Sequence, residues 1–410
     1  MDESDALSHL KTKFLLPNGL VYLDGNSLGA LPKAAKERAI EVVEQQWGQD
    51  LITSWNKHAW IALPEQVGEK VAPLIGAHIP GQVICCDSIS VNLFKLLCAC
   101  VHLNGSAGKR NKILSQRDNF PTDLYMVEGL ATLLSENHCE LLLCEEDEVL
   151  ANIQEHGDDL IAVMLTHVNF RSGYIHDLPT ITSQTHAVGA LSLWDLAHSA
   201  GAVPVELDEH NVDFAVGCGY KYLNGGPGAP AFLYAAQRHH DAIQQPLSGW
   251  MGHAKPFDFT PSYTPAPGIK RFLSGTPSVI SMSVMDAAMD VFDGVSIAEL
   301  RAKSVALTRF FQAAVAQSSY LSDLELASPE DAGARGSQIA YAHPHAYALC
   351  QALIAEGVVA DFRAPNILRF GFSPTFVSFE DIATSFAVLE HTMQSKLYEQ
   401  PQFSQKQLVT

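Results

Sequence analysis

The chain has 410 residues, 47% hydrophobic and only 17% charged, and its 26 Lys plus Arg against 45 Asp plus Glu give a formal net charge of −19. That length and apolar content supply ample core and exclude disorder as the main state. The acidic balance excludes a sequence-independent nucleic-acid binder, which needs Lys and Arg to displace counterions from phosphates. The charged fraction lies below the roughly 25% usual in soluble domains, as expected where subunit contact covers part of the surface. The N-terminus, Met1-Asp2-Glu3-Ser4-Asp5, lacks the positive and apolar regions of a secretory signal. The most apolar long window, Val83 to Val101, is interrupted by Asp87, Asn92 and Lys95, so it does not read as a membrane span. A cytoplasmic protein that engages neither membrane nor nucleic acid is expected. The eight cysteines lie mostly in apolar runs without zinc-like spacing, and reduced, buried thiols are expected.

In chain order, Lys33–Gln46 reads as an amphipathic helix with Pro32 near its start and Ala35, Ala39, Val42 and Val43 on one side. Short apolar runs then alternate with helical stretches, the pattern of a sheet wrapped by helices. The strands predicted are Val83–Cys86, Lys112–Ser115, Glu140–Cys144, Ile161–Thr166, Ala190–Trp194, Phe214–Gly217 and Ala231–Tyr234. Beyond about residue 280 longer helical segments take over. His345–Ala355 has helical apolar spacing that makes Cys350 a core residue, and the polar segment from Leu397 onward reads as frayed. The pairs His239-His240 and His343-Pro344-His345 read as solvated.

Ligands of an open parallel sheet bind outside the C-terminal ends of its strands. Asp87-Ser88, Thr166, Asp195 and the segment after Gly217 should therefore converge. The most informative stretch is Asp213 to Gly228, where a strand runs into Tyr220-Lys221 and then a glycine-rich segment. A lysine at a strand end is either solvated or has its charge disfavoured by burial, which would make it a competent amine for a Schiff base. Upstream, Trp194-Asp195-Leu196-Ala197-His198 puts a carboxylate at another strand end. Alone it reads as a helix cap. With a lysine after the next strand, it reads as the partner that keeps a cofactor's ring nitrogen protonated. Ser88-Ile89-Ser90 precedes a helical run and offers amides and hydroxyls to an anion, although such starts are also ordinary caps. Asn119-Phe120-Pro121-Thr122-Asp123 offers an aromatic face and a carboxylate.

With these residues in place, the chain resembles the kynureninases, pyridoxal-phosphate enzymes of fold type I. The resemblance runs from Tyr22-Leu-Asp-Gly-Asn-Ser-Leu-Gly29 through Phe120–Asp123, Trp194–His198, Tyr220–Gly228 and Gly249–His253 to Arg369, and the Tyr220–Gly228 run is its most specific part. It implies an α/β fold of the aspartate-aminotransferase kind, a mostly parallel sheet sandwiched by helices, with a smaller α+β domain. The large cofactor domain is expected at residues 50–285. The small domain is expected at 286–410, with segment 1–49 packing against it.

The resemblance also implies pyridoxal 5'-phosphate carried on Lys221, Asp195 at its ring nitrogen, Phe120 stacked on its ring and His198 close by. Ile89, Ser90, Pro121, Thr122, Asp123, Thr166 and Tyr220 would complete the pocket. Trp250 and Thr276 would come from the second subunit of a homodimer with shared active sites. The reaction implied is hydrolytic Cβ–Cγ cleavage of L-kynurenine to anthranilate and L-alanine, with 3-hydroxykynurenine as an alternative substrate. Lys221 would be the base, and Tyr220 the candidate for proton transfer. Asp123 is a candidate for orienting water, Arg369 for clamping the substrate carboxylate, with Ser27 nearby, and Trp60 for facing the aniline ring. No metal is expected.

Four other readings compete, an aminotransferase of the same cofactor class among them. Gly25-Asn26-Ser27-Leu28-Gly29 fits the Gly-x-Ser-x-Gly elbow of serine hydrolases, but it lies ahead of every βα unit rather than after several. A cysteine desulfurase would need a mobile thiol in the C-terminal third, where Cys350 is the candidate. A scaffold protein would not need Lys221, Asp195 and Arg369 together.

Overall fold

A computed structural model describes residues 1–105, 109–135 and 137–406. Its centre is a seven-stranded sheet built from β1 (Val83–Cys85), β2 (Lys112–Gln116), β3 (Glu140–Cys144), β4 (Leu160–Thr166), β5 (Leu191–Asp195), β6 (Phe214–Cys218) and β7 (Ala231–Ala235). The spatial order is β1-β7-β6-β5-β4-β2-β3. Only β7 runs against the rest, antiparallel to β1 and β6. β4, β6 and β7 are buried along their whole length, which is why they read as unbroken apolar runs rather than alternating ones. All seven predicted strands are present, each shifted by two residues or fewer at an end.

Helices cover both faces, and apolar clusters fill the space on each side of the sheet. α1 (Lys33–Glu41) continues as a π-helical turn over Val42–Trp47. The widened turn breaks the predicted apolar stripe. Val42 stays buried while Val43 is exposed beside Ile40 and Trp47. α2 (Ile89–Asn104) starts at Ser88, whose hydroxyl accepts from the Val91 amide, and α3 (Pro121–Leu134) starts on Pro121. α4 (Val279–Ala288) packs on α1.

The C-terminal third pairs helices with a four-stranded antiparallel sheet that the sequence reading did not resolve. α5 (Ile297–Gln317), α6 (Ala346–Ala355) and α7 (Phe379–Gln394) lie with β8 (Glu325–Leu326), β9 (Gln338–Ala342), β10 (Asp361–Arg363) and β11 (Ile367–Gly371). These strands are short, and polar or charged residues interrupt their apolar runs, which hides them. The N-terminal segment meets this region. Val21–Tyr22 pairs in parallel with Val358–Val359, Asp2 accepts from the first amides of α7, and Lys303 holds Asp5 at 2.7 Å.

Two expectations are overturned here. The described part of the tail from Leu397 is not frayed, because Tyr398 and Phe403 are buried in 3-10 turns packed on α6. Two aromatic anchors outweigh a polar average; residues 407–410 lie outside the described residues. Of the histidine pairs only His345 is exposed as expected. His240 and His343 are buried, and His239 holds the buried Asp213 at 2.7 Å. All eight cysteines are free, seven of them buried and Cys98 partly so.

Candidate active site

At the C-terminal end of the sheet the turns after β1, β2, β4, β5 and β6 surround a cavity of about 240 Å³. Its wall includes Ile89, Ser90, Phe120, Thr122, Asp123, Thr166, Asp195, His198, Tyr220 and Lys221. Ten residues singled out from the sequence are thus brought together, spread over more than 130 positions but delivered to one edge by parallel strands. Pro121 does not line the cavity; it sets the first turn of α3 behind Phe120.

Lys221 Nζ lies 3.0 Å from His198 Nε2 and 5.9 Å from the ring centres of both Phe120 and Tyr220. Burial, then the cations Lys221, Arg369 and Arg363, push His198 far below the ordinary histidine range, so it is neutral. Its Nδ1 is buried without a partner. Asp195 accepts from the Ala197 amide at 2.8 Å, and burial raises its pKa against the pull of Lys221. Asp123 is also fully buried. Burial and the neighbouring Asp195 raise it strongly, and it takes a hydrogen bond from Thr166 at 3.3 Å. Two buried carboxyls this close favour sharing a proton over both ionising. Asp123 lines the cavity beside Asp195 with almost no exposed surface. Burial and nearby negative charge raise the Tyr220 phenol well above its ordinary value, which keeps its proton in place.

Phe170 was missed by the sequence reading. It lines the cavity, and its ring meets Phe120 edge-on at 5.3 Å. The signal was available: each phenylalanine follows its strand end, Gln116 or Thr166, by four residues, and those strands are neighbours.

The Phe170 carbonyl accepts from Arg369, a fully buried residue of β11 whose register partner on β10 is Asp361. Arg369 also binds the Asp361 carboxylate and donates to Ser27 Oγ at 2.9 Å, while its Nε has no partner. Arg363 reaches the same Asp361 at 2.9 Å and Ser27 at 3.2 Å. Burial and the adjacent Asp361 raise Asp24 to about 6. Ser27 therefore sits among two arginines and a carboxylate, and no histidine bonds it.

Three expected residues lie elsewhere in the chain. Trp60 is a core residue here, donating to Gln46 Oε1 at 2.7 Å and packing edge-on against Trp55. Trp250 and Thr276 are exposed, and Trp250 borders a separate surface cleft with Phe259.

The residues around the cavity fit pyridoxal phosphate. A buried carboxyl suits a ring nitrogen, an aromatic face suits the ring, a lysine suits the aldehyde, and free amides at the start of α2 suit the phosphate. The cavity leaves about 240 Å³ among these groups, with Lys221 Nζ 3.0 Å from neutral His198.

Comparison with known proteins agrees. The family profile described as "Kynureninase C-terminal domain" matches residues 300–389. A kynureninase of Burkholderia pseudomallei (strain 1106a) is 48% identical over 412 residues, covering all of this chain and 98% of the relative. One from Pseudomonas fluorescens is 43% identical over 411 residues, with the same coverage. Among solved structures, the apo cysteine desulfurase from Thermococcus onnurineus NA1 superposes with a TM-score of 0.78 at 19% identity, covering 94% of this chain and 98% of that one, which supports the fold alone. The chain belongs to the kynureninase family of pyridoxal-phosphate-dependent hydrolases.

Proposed function

We propose that this enzyme cleaves the Cβ–Cγ bond of L-kynurenine with water, releasing anthranilate and L-alanine, in tryptophan/kynurenine catabolism in the cytoplasm. The observation that carries the reading is the convergence of Lys221, Asp195 and His198 on one cavity, with Arg369 held behind it through the Phe170 carbonyl. 3-Hydroxykynurenine is the alternative main substrate. The desulfurase reading is weakened because Cys350 is fully buried, its thiol directed at the Ala360 carbonyl. The serine-hydrolase reading is weakened because Ser27 has arginine and aspartate partners but no base.

When bound, pyridoxal phosphate supplies the electron sink for the bonds broken at the substrate's α- and β-carbons. The chain's own residues do the rest. Asp195 holds the proton of the ring nitrogen. Arg369 accepts the substrate α-carboxylate in a two-pronged contact, exchanging part of its hold on Asp361 and Ser27. Lys221 then takes the α-proton, and neutral His198, 3.0 Å away, accepts a hydrogen bond from the lysine ammonium and orients it. Tyr220, its phenol protonated, is the donor at the hydrated carbonyl or the β-carbon. Phe120 and Phe170 keep bulk water from the reacting carbons.

The protein is proposed to work as a homodimer in which Trp250 and Thr276 complete the partner's pocket. Support comes from their exposure together with Phe257 and Phe259. We likewise propose a large domain at residues 50–285 and a small one at 286–410 that carries segment 1–49.

The test is the visible spectrum of the purified protein before and after L-kynurenine, with borohydride reduction and peptide mapping. A band that shifts with substrate, label on Lys221 and released anthranilate are expected. A colourless protein that takes up no added pyridoxal phosphate defeats the reading.

A further inference from the structure

The turn that links β1 to α2 is held from beneath by a buried cation that the chemistry above does not use. Lys95, in the second turn of α2, has no exposed surface. Its Nζ lies 2.6 Å from Asp87 Oδ2 and 2.5 Å from the Phe272 carbonyl. Asp87 has φ +49°, left-handed for a residue that is not glycine. It immediately precedes Ser88-Ile89-Ser90, the start of α2 that faces the cavity. Beside Lys95, the fully buried Asn92 donates to the Cys86 carbonyl at 2.9 Å. α2 thus turns two side chains back onto the segment that leads into it, Asn92 onto the Cys86 backbone and Lys95 onto the Asp87 carboxylate. Phe272, the second partner of Lys95, stands four residues before Thr276.

A lysine is costly to bury unless each of its bonds is specified. Here both bonds go to segments next to phosphate-binding candidates, and neither goes to the cavity. We propose that Lys95 is a positioning residue for the cofactor phosphate. Its bond to Asp87 holds the left-handed residue in place, so that the amides and hydroxyls of Ser88–Ser90 stay aimed at the anion. The bond to Phe272 fixes the distance between this turn and the segment leading to Thr276. This inference rests on reading the Ser88–Ser90 turn as the phosphate cradle.

The test compares two probes on the apoenzyme, pyridoxal 5'-phosphate and pyridoxal, which lacks the phosphate. Dissociation constants come from absorbance titration, with folding checked by circular dichroism. Lys95→Met is expected to weaken pyridoxal phosphate by at least about tenfold, the effect of losing a charge-assisted hydrogen bond, while leaving pyridoxal within about twofold. The double variant Lys95→Met/Asp87→Gly should regain most of the loss, because glycine adopts positive φ freely. Equal weakening of both probes, no weakening of either, or no recovery in the double variant overturns the proposal. If Lys95→Met does not fold, Asp87→Ala removes the same bond from its accessible side and must show the same selective loss. A wild-type protein that binds both probes equally would instead refute the phosphate cradle itself, and borohydride labelling of Lys221 would still report the cofactor.

Discussion

The sheet carries a buried aspartate at each end, and the two are treated in opposite ways. Asp213, just before β6 at the far end from the cavity, accepts from His186 and His239 at 2.7 Å, from Arg238 at 2.5 Å, and from the Ser192 amide and hydroxyl at 2.8 and 2.9 Å. Its pKa is driven far below the carboxylate range despite burial, because these donors favour the charged form. Asp195, at the end of β5, has one backbone donor and a carboxyl neighbour, and its pKa is raised. Near Asp195, Asp123 Oδ1 and His198 Nδ1 have no partner. A buried charge with a full set of donors belongs to the architecture. One left short belongs to a place where something binds.

Substitutions should break this comparison along the same line. Lys221→Ala, at the underprovided end, should lower turnover about 10³-fold or more and abolish borohydride labelling, with an unchanged melting curve for the apoprotein. Retained turnover would remove the lysine from the chemistry. Asp195→Asn should lower kcat by roughly 10² to 10³ while stability holds or rises. Asp213→Asn should do the reverse, costing about 3 kcal/mol of stability with kcat intact, as read by urea unfolding and steady-state assays. A loss of activity in a stable Asp213→Asn protein would collapse the distinction.

Arg369 sharpens the picture because it belongs to both categories, a satisfied ion pair with Asp361 and a proposed clamp. Arg369→Ala should raise KM by the equivalent of about 2 kcal/mol and also destabilise, since the buried Asp361 loses one of the two arginines that hold it. Adding Asp361→Asn should restore stability but not KM. If KM recovers as well, the arginine is only structural.

The smallest effect concerns His176, buried against Gln116 at 2.7 Å and lowered by burial to about 4. Unfolded, the imidazole titrates near 6.5. The unfolded state therefore binds the extra proton as pH falls below that value, and stability drops toward the folded pKa. Relative to His176→Gln, the wild type should lose about 1 kcal/mol by about pH 5.5 and nothing above pH 7. Parallel pH profiles would show that the histidine is not held neutral.

The large sheet was legible because parallel strands buried on both faces leave uninterrupted apolar runs, such as Leu160–Thr166. The cavity residues followed from strand ends. Three features were not legible, each for a physical reason. β11 carries Arg369 in mid-strand, so its apolar run is broken by the residue that matters. The donors of Asp213 come from a helix, a strand and a turn, and their meeting depends on packing alone. Trp60 reads the same whether it faces a substrate or the core, and only its bond to Gln46 distinguishes the two.

The pairing of Val21–Tyr22 with Val358–Val359, and the hydrogen bond between Ser27 and Arg369 across 342 positions, also bear on how the enzyme is made. On the ribosome the segment holding Ser27 emerges well before β11, which follows it by 342 positions. The sheet that presents Lys221 can form while that partner is still unsynthesised. Such distant pairings close slowly, so a nascent chain acquires its reactive amine well before the arginine cluster beside it.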